Sequence, residues 1–196
     1  MREIASVCVF CGSSHGSNPA FAEAGRAVGE VLAQASVTVV YGGGTRGIMG
    51  VVAHSAMEAG GTVIGVIPGA FQPKEGEASF ITHLEVVQSM HERKARMEKI
   101  SDAFVALPGG FGTFEELCEI TTWQQLGLHR KPIALFNVDG YWNDLLAMMD
   151  RAVLEGFVSQ ANRAGVIEVT QAENLLHALQ TAELPPEPPW LWPENA

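Results

Sequence analysis

Two apolar patterns alternate along the chain. Short, predominantly apolar runs recur at residues 4–11, 37–41, 62–67, 84–88, 103–107, 131–137 and 166–170. Runs of this kind read as strands buried on both faces, as in a parallel sheet. Between them the apolar residues take helical spacing, over 18–35, 47–59, 90–101, 113–128, 141–155 and 171–181. Local signals agree with that division. Asn18 can cap the first helix, Pro19 suits its first position, and Gly60-Gly61 stops the second. Strand alternating with helix predicts an α/β fold. The expected form is a doubly wound, Rossmann-like parallel sheet of about seven strands with helices on both faces.

Residues 68–82 break the pattern. They hold Pro68, Pro73, Lys74-Glu75 and Gly76-Glu77 with no period, and read as a long active-site loop. One domain is expected over residues 1–182, followed by a Pro-rich tail at 183–196 that can extend neither helix nor sheet.

In a doubly wound sheet, ligands bind outside the carboxyl ends of the strands. Three Gly-rich turns stand at such ends: Gly12-Ser13-Ser14, Gly42-Gly43-Gly44 and Gly109-Gly110-Phe111-Gly112. They are expected to converge on one edge. The third belongs to a strand, a Pro-Gly-Gly-x-Gly-Thr-x-x-Glu turn and a helix expected to start near Thr113. Glycines allow close backbone approach, and first-turn N–H groups lack helical partners, so this is an anion site. Gly42-Gly43-Gly44-x-x-Gly47 loosely resembles a dinucleotide fingerprint. It follows the second strand, however, and the third strand ends without an acidic residue for a ribose. There is no Walker pattern. The expected ligand is a mononucleotide, not NAD.

Two charged features bear on chemistry. Met90, Met97 and Ile100 mark the apolar stripe of one helix, and Arg93 and Lys94 fall on that stripe. Arg96 and Lys99 fall on its solvated side. Cations on a core-facing stripe need partners. They either snorkel at the core's edge, pair with acidic neighbours or, in the case of Arg93, reach a substrate or a catalytic carboxylate. Glu116 also has two readings. Thr113-Phe-Glu-Glu116 has the form of a capping box, which explains the glutamate structurally. Alternatively, Glu116 is a catalytic carboxylate beside the anion cradle. The next helix is apolar over most of its circumference, through Phe114, Leu117, Cys118, Ile120, Trp123, Leu126 and Leu128. A helix of that kind is buried on more than one side, so a homodimer is expected, with the site near the interface. Glu115 and Glu119 are expected to be solvated or paired across that interface.

Composition narrows the partners. The 196 residues carry a net charge of −10, with 47% hydrophobic and 17% charged residues. Such a chain is globular and a poor ligand for DNA, RNA or anionic membranes. The three cysteines, Cys8, Cys11 and Cys118, form no even framework. Cys8-x-x-Cys11 lies in a strand, where positions three apart point to opposite faces, so both read as packed thiols. Arg2 and Glu3 precede only a short apolar run, and no run approaches the ~20 residues of a membrane span. A soluble cytoplasmic protein is expected.

Two paired motifs carry a resemblance. They are Met90-His-Glu-Arg93-Lys94-x-x-Met97 and Pro108-Gly-Gly-x-Gly-Thr-x-x-Glu116. Around them stand Cys11-Gly-Ser-Ser, Tyr41-Gly-Gly-Gly, Thr122-Trp123-x-Gln-Leu-Gly, Lys131-Pro132, Gly140-Tyr141 and Glu155-Gly156-Phe157. With these the chain resembles the LONELY GUY (LOG) family from about Val7 to Leu179. The family comprises cytokinin riboside 5′-monophosphate phosphoribohydrolases, often misannotated as lysine decarboxylases. The resemblance implies hydrolysis of the N-glycosidic bond of a nucleoside 5′-monophosphate to free base and ribose 5-phosphate. It also implies a homodimer and neither metal nor organic cofactor. By motif, Arg93 and Glu116 match the catalytic pair. Lys94, Gly109, Gly110, Phe111, Gly112, Thr113, Glu115 and Thr122 match substrate-binding positions, with Gly12, Ser13, Gly43 and Gly44 in the other turns expected to help hold the phosphate. A binding glutamate of the long loop corresponds to Glu75 or Glu77.

The implied chemistry suits the residues. Glycosidic cleavage builds positive charge on the ribose; a carboxylate at Glu116 can stabilise that charge or activate the attacking water. Arg93 would keep that carboxylate ionised and aimed. No histidine is assigned to protonate the base; His91 reads as solvated or capping. A non-catalytic binding module, such as a molybdenum-cofactor carrier of related fold, would need the Gly-rich turns without the Arg/Glu pair. Lysine decarboxylation needs a pyridoxal Schiff-base lysine, and no lysine here has such a setting.

Overall fold

The computed structural model describes residues 1–72 and 78–187. Its centre is a seven-stranded sheet in the order β4-β3-β2-β1-β5-β6-β7. The strands are β1 (Ser6–Phe10), β2 (Thr38–Tyr41), β3 (Val63–Pro68), β4 (His83–Val87), β5 (Ala103–Ala106), β6 (Ile133–Phe136) and β7 (Val166–Val169). Every neighbouring pair is parallel. The helices are α1 (Pro19–Gln34), α2 (Gly47–Glu58), α3 (Met90–Lys99), α4 (Phe111–Gln125), α5 (Asn143–Leu154), α6 (Gln160–Ala164) and α7 (Ala172–Thr181). The expected doubly wound α/β architecture is the one observed.

Strand alternation divides the core into two layers. Val7, Val9 and Cys11 pack with residues of α1, α2 and α7 on one face. Cys8 and Phe10 pack with residues of α3, α4 and α5 on the other. The two β1-region thiols are therefore buried on opposite sides of the sheet, as their spacing requires. Asn18 caps α1, accepting from the Ala20 N–H at 3.0 Å, with Pro19 at the first helical position.

The strand order changes direction between β1 and β5. β1 is followed by β2 on one side, while β5 continues outward to β6 and β7 on the other. Their loops therefore part at the carboxyl edge and leave a crevice, the usual ligand position in such sheets. The two loops are joined at its floor. Leu107 N–H donates to Phe10 O at 2.9 Å, and Gly12 N–H donates to Pro108 O at 3.1 Å.

Two local expectations need correction. The capping box at Thr113 and Glu116 does not form. α4 begins two residues earlier, with Gly110 as its N-cap in extended conformation and no side-chain cap. Thr113 is thus the third helical residue and Glu116 lies in the second turn, beyond reach of the cap N–H. The five-residue α6 was not expected, being too short to show a period. In the irregular segment a 3₁₀ turn occupies Gly69–Phe71. Glu75 and Glu77 lie outside the described residues, as does most of the Pro-rich tail.

Candidate active site

The first two Gly-rich turns and the head of α4 meet at one cavity of about 440 Å³. Ser13, Gly42, Gly44, Gly110, Phe111, Gly112 and Thr113 line it, together with Arg93 and Glu116. Cys11, Met49, Ile67, Pro68, Phe71 and Met90 complete the wall. Two larger clefts, of about 640 and 590 Å³, open elsewhere and contain neither Arg93 nor Glu116.

Arg93 reaches the cavity because α3 packs its Arg93–Lys94–Met97 stripe inward. Its guanidinium is fixed from two sides. Nε–H donates to Val66 O at 3.1 Å, and Nη1 donates to Glu116 Oε1 at 2.5 Å. Both side chains are nearly buried, with 10% and 9% exposure. Arg93 therefore pairs with a carboxylate rather than snorkelling, and that carboxylate borders the same cavity. Burial raises the Glu116 carboxyl above its ordinary range, and Arg93 pulls against this without cancelling it. Arg93 thus aims the carboxylate, but the expectation that it simply holds the group ionised is modified by desolvation.

The expected anion cradle falls at the head of α4. Gly110, Phe111, Gly112 and Thr113 border the cavity, and first-turn N–H groups have no helical partner. Behind this turn the backbone is tightly packed. A Cβ built on Gly109 would overlap the side chain of the buried Thr113. Tyr141 Oη donates to the Gly109 carbonyl, which orients the turn from outside. Gly12 and Gly43 also stand behind the lining. Gly12 lies against Gly109, while Gly43 packs on Ile67 at a φ of 75°.

Besides Gly12, Gly43 and Gly109, three more predicted binding residues do not line the cavity: Lys94, Glu115 and Thr122. Lys94 Nζ donates to Glu115 Oε1 and, at 2.9 Å, to Glu119 Oε1. Glu115 and Glu119 are therefore paired within the chain to the neighbouring helix. Desolvation pulls the Lys94 pKa down, but its bonds to Glu115 and Glu119 outweigh this and leave it raised. Thr122 is exposed on α4, with its hydroxyl donating to Cys118 O at 2.7 Å. Burial and the nearby Glu116 push the Cys11 thiol up, so this wall of the cavity stays neutral.

Sequence reasoning passed over several contributors. Gly42, Met49, Ile67, Pro68, Phe71 and Met90 were not singled out for binding, although Gly42, Ile67 and Pro68 stand at strand carboxyl ends. Tyr141 was visible only within the Gly140-Tyr141 motif.

Fold and site define a Rossmann-like protein with a Gly-rich helix terminus and a buried Arg/Glu pair at one cavity. The family model described as "Possible lysine decarboxylase" matches residues 49–179. The chain is 46% identical over 177 residues to the cytokinin riboside 5′-monophosphate phosphoribohydrolase LOG7 of Arabidopsis thaliana, covering 90% of this chain and 82% of that one. It is 48% identical over 174 residues to a probable phosphoribohydrolase of the same description, LOGL9 of Oryza sativa subsp. japonica, covering 89% and 77%. The chain belongs to the LONELY GUY family. Among solved structures, the molybdenum cofactor carrier protein of Chlamydomonas reinhardtii superposes with a TM-score of 0.70 at 20% identity, covering 92% of this chain and 98% of that one. At that identity the likeness is one of fold.

Proposed function

We propose that this protein hydrolyses the N-glycosidic bond of adenosine 5′-monophosphates, including N6-substituted ones, releasing the free base and ribose 5-phosphate. The observation that carries this reading is the buried Arg93–Glu116 pair opening onto the same cavity as the head of α4.

In this reading the 5′-phosphate sits on the N–H groups at Gly110, Phe111, Gly112 and Thr113, with Ser13 beside it. Phosphate binding remote from the reacting bond positions the ribose. The C1′–N bond breaks with its electrons passing to the base, which takes up a proton. Glu116 stabilises the positive charge growing on the ribose and accepts a proton from the water that attacks C1′. Arg93 aims Glu116. Lys94, Glu115 and Thr122 lie outside the lining, so we assign them to fixing α3 on α4 or to contact with a second copy. The relatives' names support cytokinin nucleotides as substrates. A Schiff-base role for Lys94 is opposed by its two carboxylate partners, which favour the charged amine.

We further infer one domain over residues 1–182, a cytoplasmic setting and a homodimer. No described helix is long and apolar enough to cross a membrane. Phe111 is 90% exposed at the cavity mouth, and Cys118 on α4 and Leu126 at its C-cap are exposed, which supports a partner on that face.

The test is incubation with AMP and N6-isopentenyl-AMP, with detection of free base and ribose 5-phosphate. Release is expected, and it should collapse in Glu116→Ala and Arg93→Ala. Absence of turnover of any nucleoside monophosphate would overturn the reading.

A further inference from the structure

A second cleft of about 590 Å³ lies beside the candidate active site and shares Ser13 with it. Its charged walls come from three elements. Arg26 stands on α1, Arg46 on the turn before α2, and His54 on α2 itself. Ser14, His15 and Thr45 add polar groups from the turns, and Glu58 is its one carboxylate. Among the described residues, neither arginine forms an ion pair. In a chain of net charge −10, two unpaired guanidiniums on one cleft call for a counter-charge.

The chemistry of the walls restricts the ligand. Val51 is the one large aliphatic side chain in the cleft's lining. The His54 ring is already stacked on Phe80, with centroids 3.7 Å apart and planes at 9°. The head of α2 is not free to bind an anion. Its Ile48 and Met49 N–H groups donate to Ser14 O and Gly12 O, at 3.4 and 3.2 Å. Recognition must therefore come from side chains. Two guanidinium forks with neighbouring hydroxyls suit a multiply charged tetrahedral oxyanion.

We propose that this cleft binds a phosphoryl group distinct from the 5′-phosphate held by α4. The group comes either from the distal end of a polyphosphorylated nucleotide seated in the first cavity or from a separate phosphate ester. The two sites are mechanically joined. Gly47, at a φ of 63°, leaves no room for a Cβ against the Ser13 backbone, so α2 abuts the turn that walls both cavities. An anion held by Arg46 therefore acts on the turn carrying Ser13. This coupling rests on the nucleotide reading of the first cavity; the anion site itself does not.

The experiment is calorimetric titration of the full chain with pyrophosphate at low salt, in wild type, Arg46→Gln and Arg26→Gln/Arg46→Gln. Binding to wild type is expected, weakening by about tenfold or more in the double variant and by less in the single one. Both arginines are exposed, and matching melting temperatures would confirm that the variants fold. AMP turnover should be unchanged in both. A second series measures inhibition of AMP hydrolysis by ADP. If ADP binds more tightly than AMP and loses that advantage in the double variant, the cleft takes a distal phosphate. If ADP gains nothing while pyrophosphate still binds beside AMP, it takes a separate ester. Equal pyrophosphate affinity in wild type and both variants, or none in any, overturns the proposal. Failure of AMP turnover alone would leave the titration readable and would count only against the nucleotide reading.

Discussion

Glu116 Oε1 lies 2.5 Å from Arg93 Nη1, and the same guanidinium is held to the sheet through Val66 O. The pair links α3, α4 and the carboxyl end of β3 at the cavity floor. Truncating either member should lower kcat/KM by about 10²- to 10⁴-fold, the usual scale for an acid–base group. Arg93→Ala should also cost about 3–5 kcal/mol of stability, because it leaves a buried carboxylate unpaired. Steady-state kinetics alongside urea denaturation would separate the two effects. A variant that loses stability but keeps its activity would remove Arg93 from the chemistry.

The raised Glu116 carboxyl predicts a pH profile. Desolvation favours its protonated form, and Arg93 opposes this. If the carboxylate is the active form, activity falls as pH drops through that raised pKa. The acid limb of kcat/KM should therefore lie above the ordinary glutamate range. Arg93→Gln removes the main opposing cause, so residual activity should show the limb displaced further upward. A limb that stays fixed or moves down would contradict the assignment.

Gly42 offers a way to disturb Arg93 without replacing it. A Cβ at Gly42 would overlap Arg93 Nη2, the far end of a flexible side chain. Gly42→Ala should turn the guanidinium away from Glu116 while leaving the sheet intact. The expected result is a fall in kcat of at least about tenfold, since small misplacements of reacting groups are costly. The melting temperature should change little, and wild-type kcat in a folded Gly42→Ala would show that the pair need not be aligned.

Tyr141 makes a separable contribution, because it touches the proposed phosphate cradle from behind. Its hydroxyl donates to Gly109 O, and its ring packs edge-on against Phe21 and Trp142. Tyr141→Phe keeps the ring and deletes one hydrogen bond, worth about 1 kcal/mol. A looser cradle should raise KM for AMP by about fivefold. The predicted change is smaller for the free nucleoside, which has no phosphate to place. Equal effects on both substrates would point to general destabilisation instead.

The sheet was legible because its parallel strands are predominantly apolar runs, and every strand among the described residues matches one. The Gly-rich turns announced their edge for the same reason. Arg93 was legible as a buried cation from its position three residues after Met90. Its partner Glu116 came from the paired motifs and not from the helical pattern, since the contact spans 23 residues and depends on how α3 packs on α4. The same packing hid the pairing of Lys94 with Glu115 and Glu119. The start of α4 was misplaced because Thr113 and Glu116 mimic a capping box. Gly110 caps the helix by backbone conformation alone, with φ −103° and ψ −155°, and that leaves no side-chain signature.

His129 makes fold stability depend on pH away from the cavity. It is buried between α4 and β6, where Nε2 lies 2.9 Å from Ile120 O and Nδ1 accepts the Lys131 N–H at 3.1 Å. Those bonds require the neutral ring with its proton on Nε2, because a protonated Nδ1 would face another donor. Burial lowers the His129 pKa, more than the Ile120 bond raises it. The folded state therefore binds this proton less readily than the unfolded chain does. Above the unfolded value of about 6.5 the ring is neutral in both states and its contribution is complete. As pH falls below that value, the unfolded chain gains a proton that the folded one refuses, and stability declines until the folded pKa is reached. His129→Gln can keep a donor to Ile120 O without this titration. Urea midpoints at pH 7.5 and 5.5 should therefore fall more steeply for wild type than for His129→Gln. Parallel pH dependence in the two proteins would show that His129 does not carry the effect.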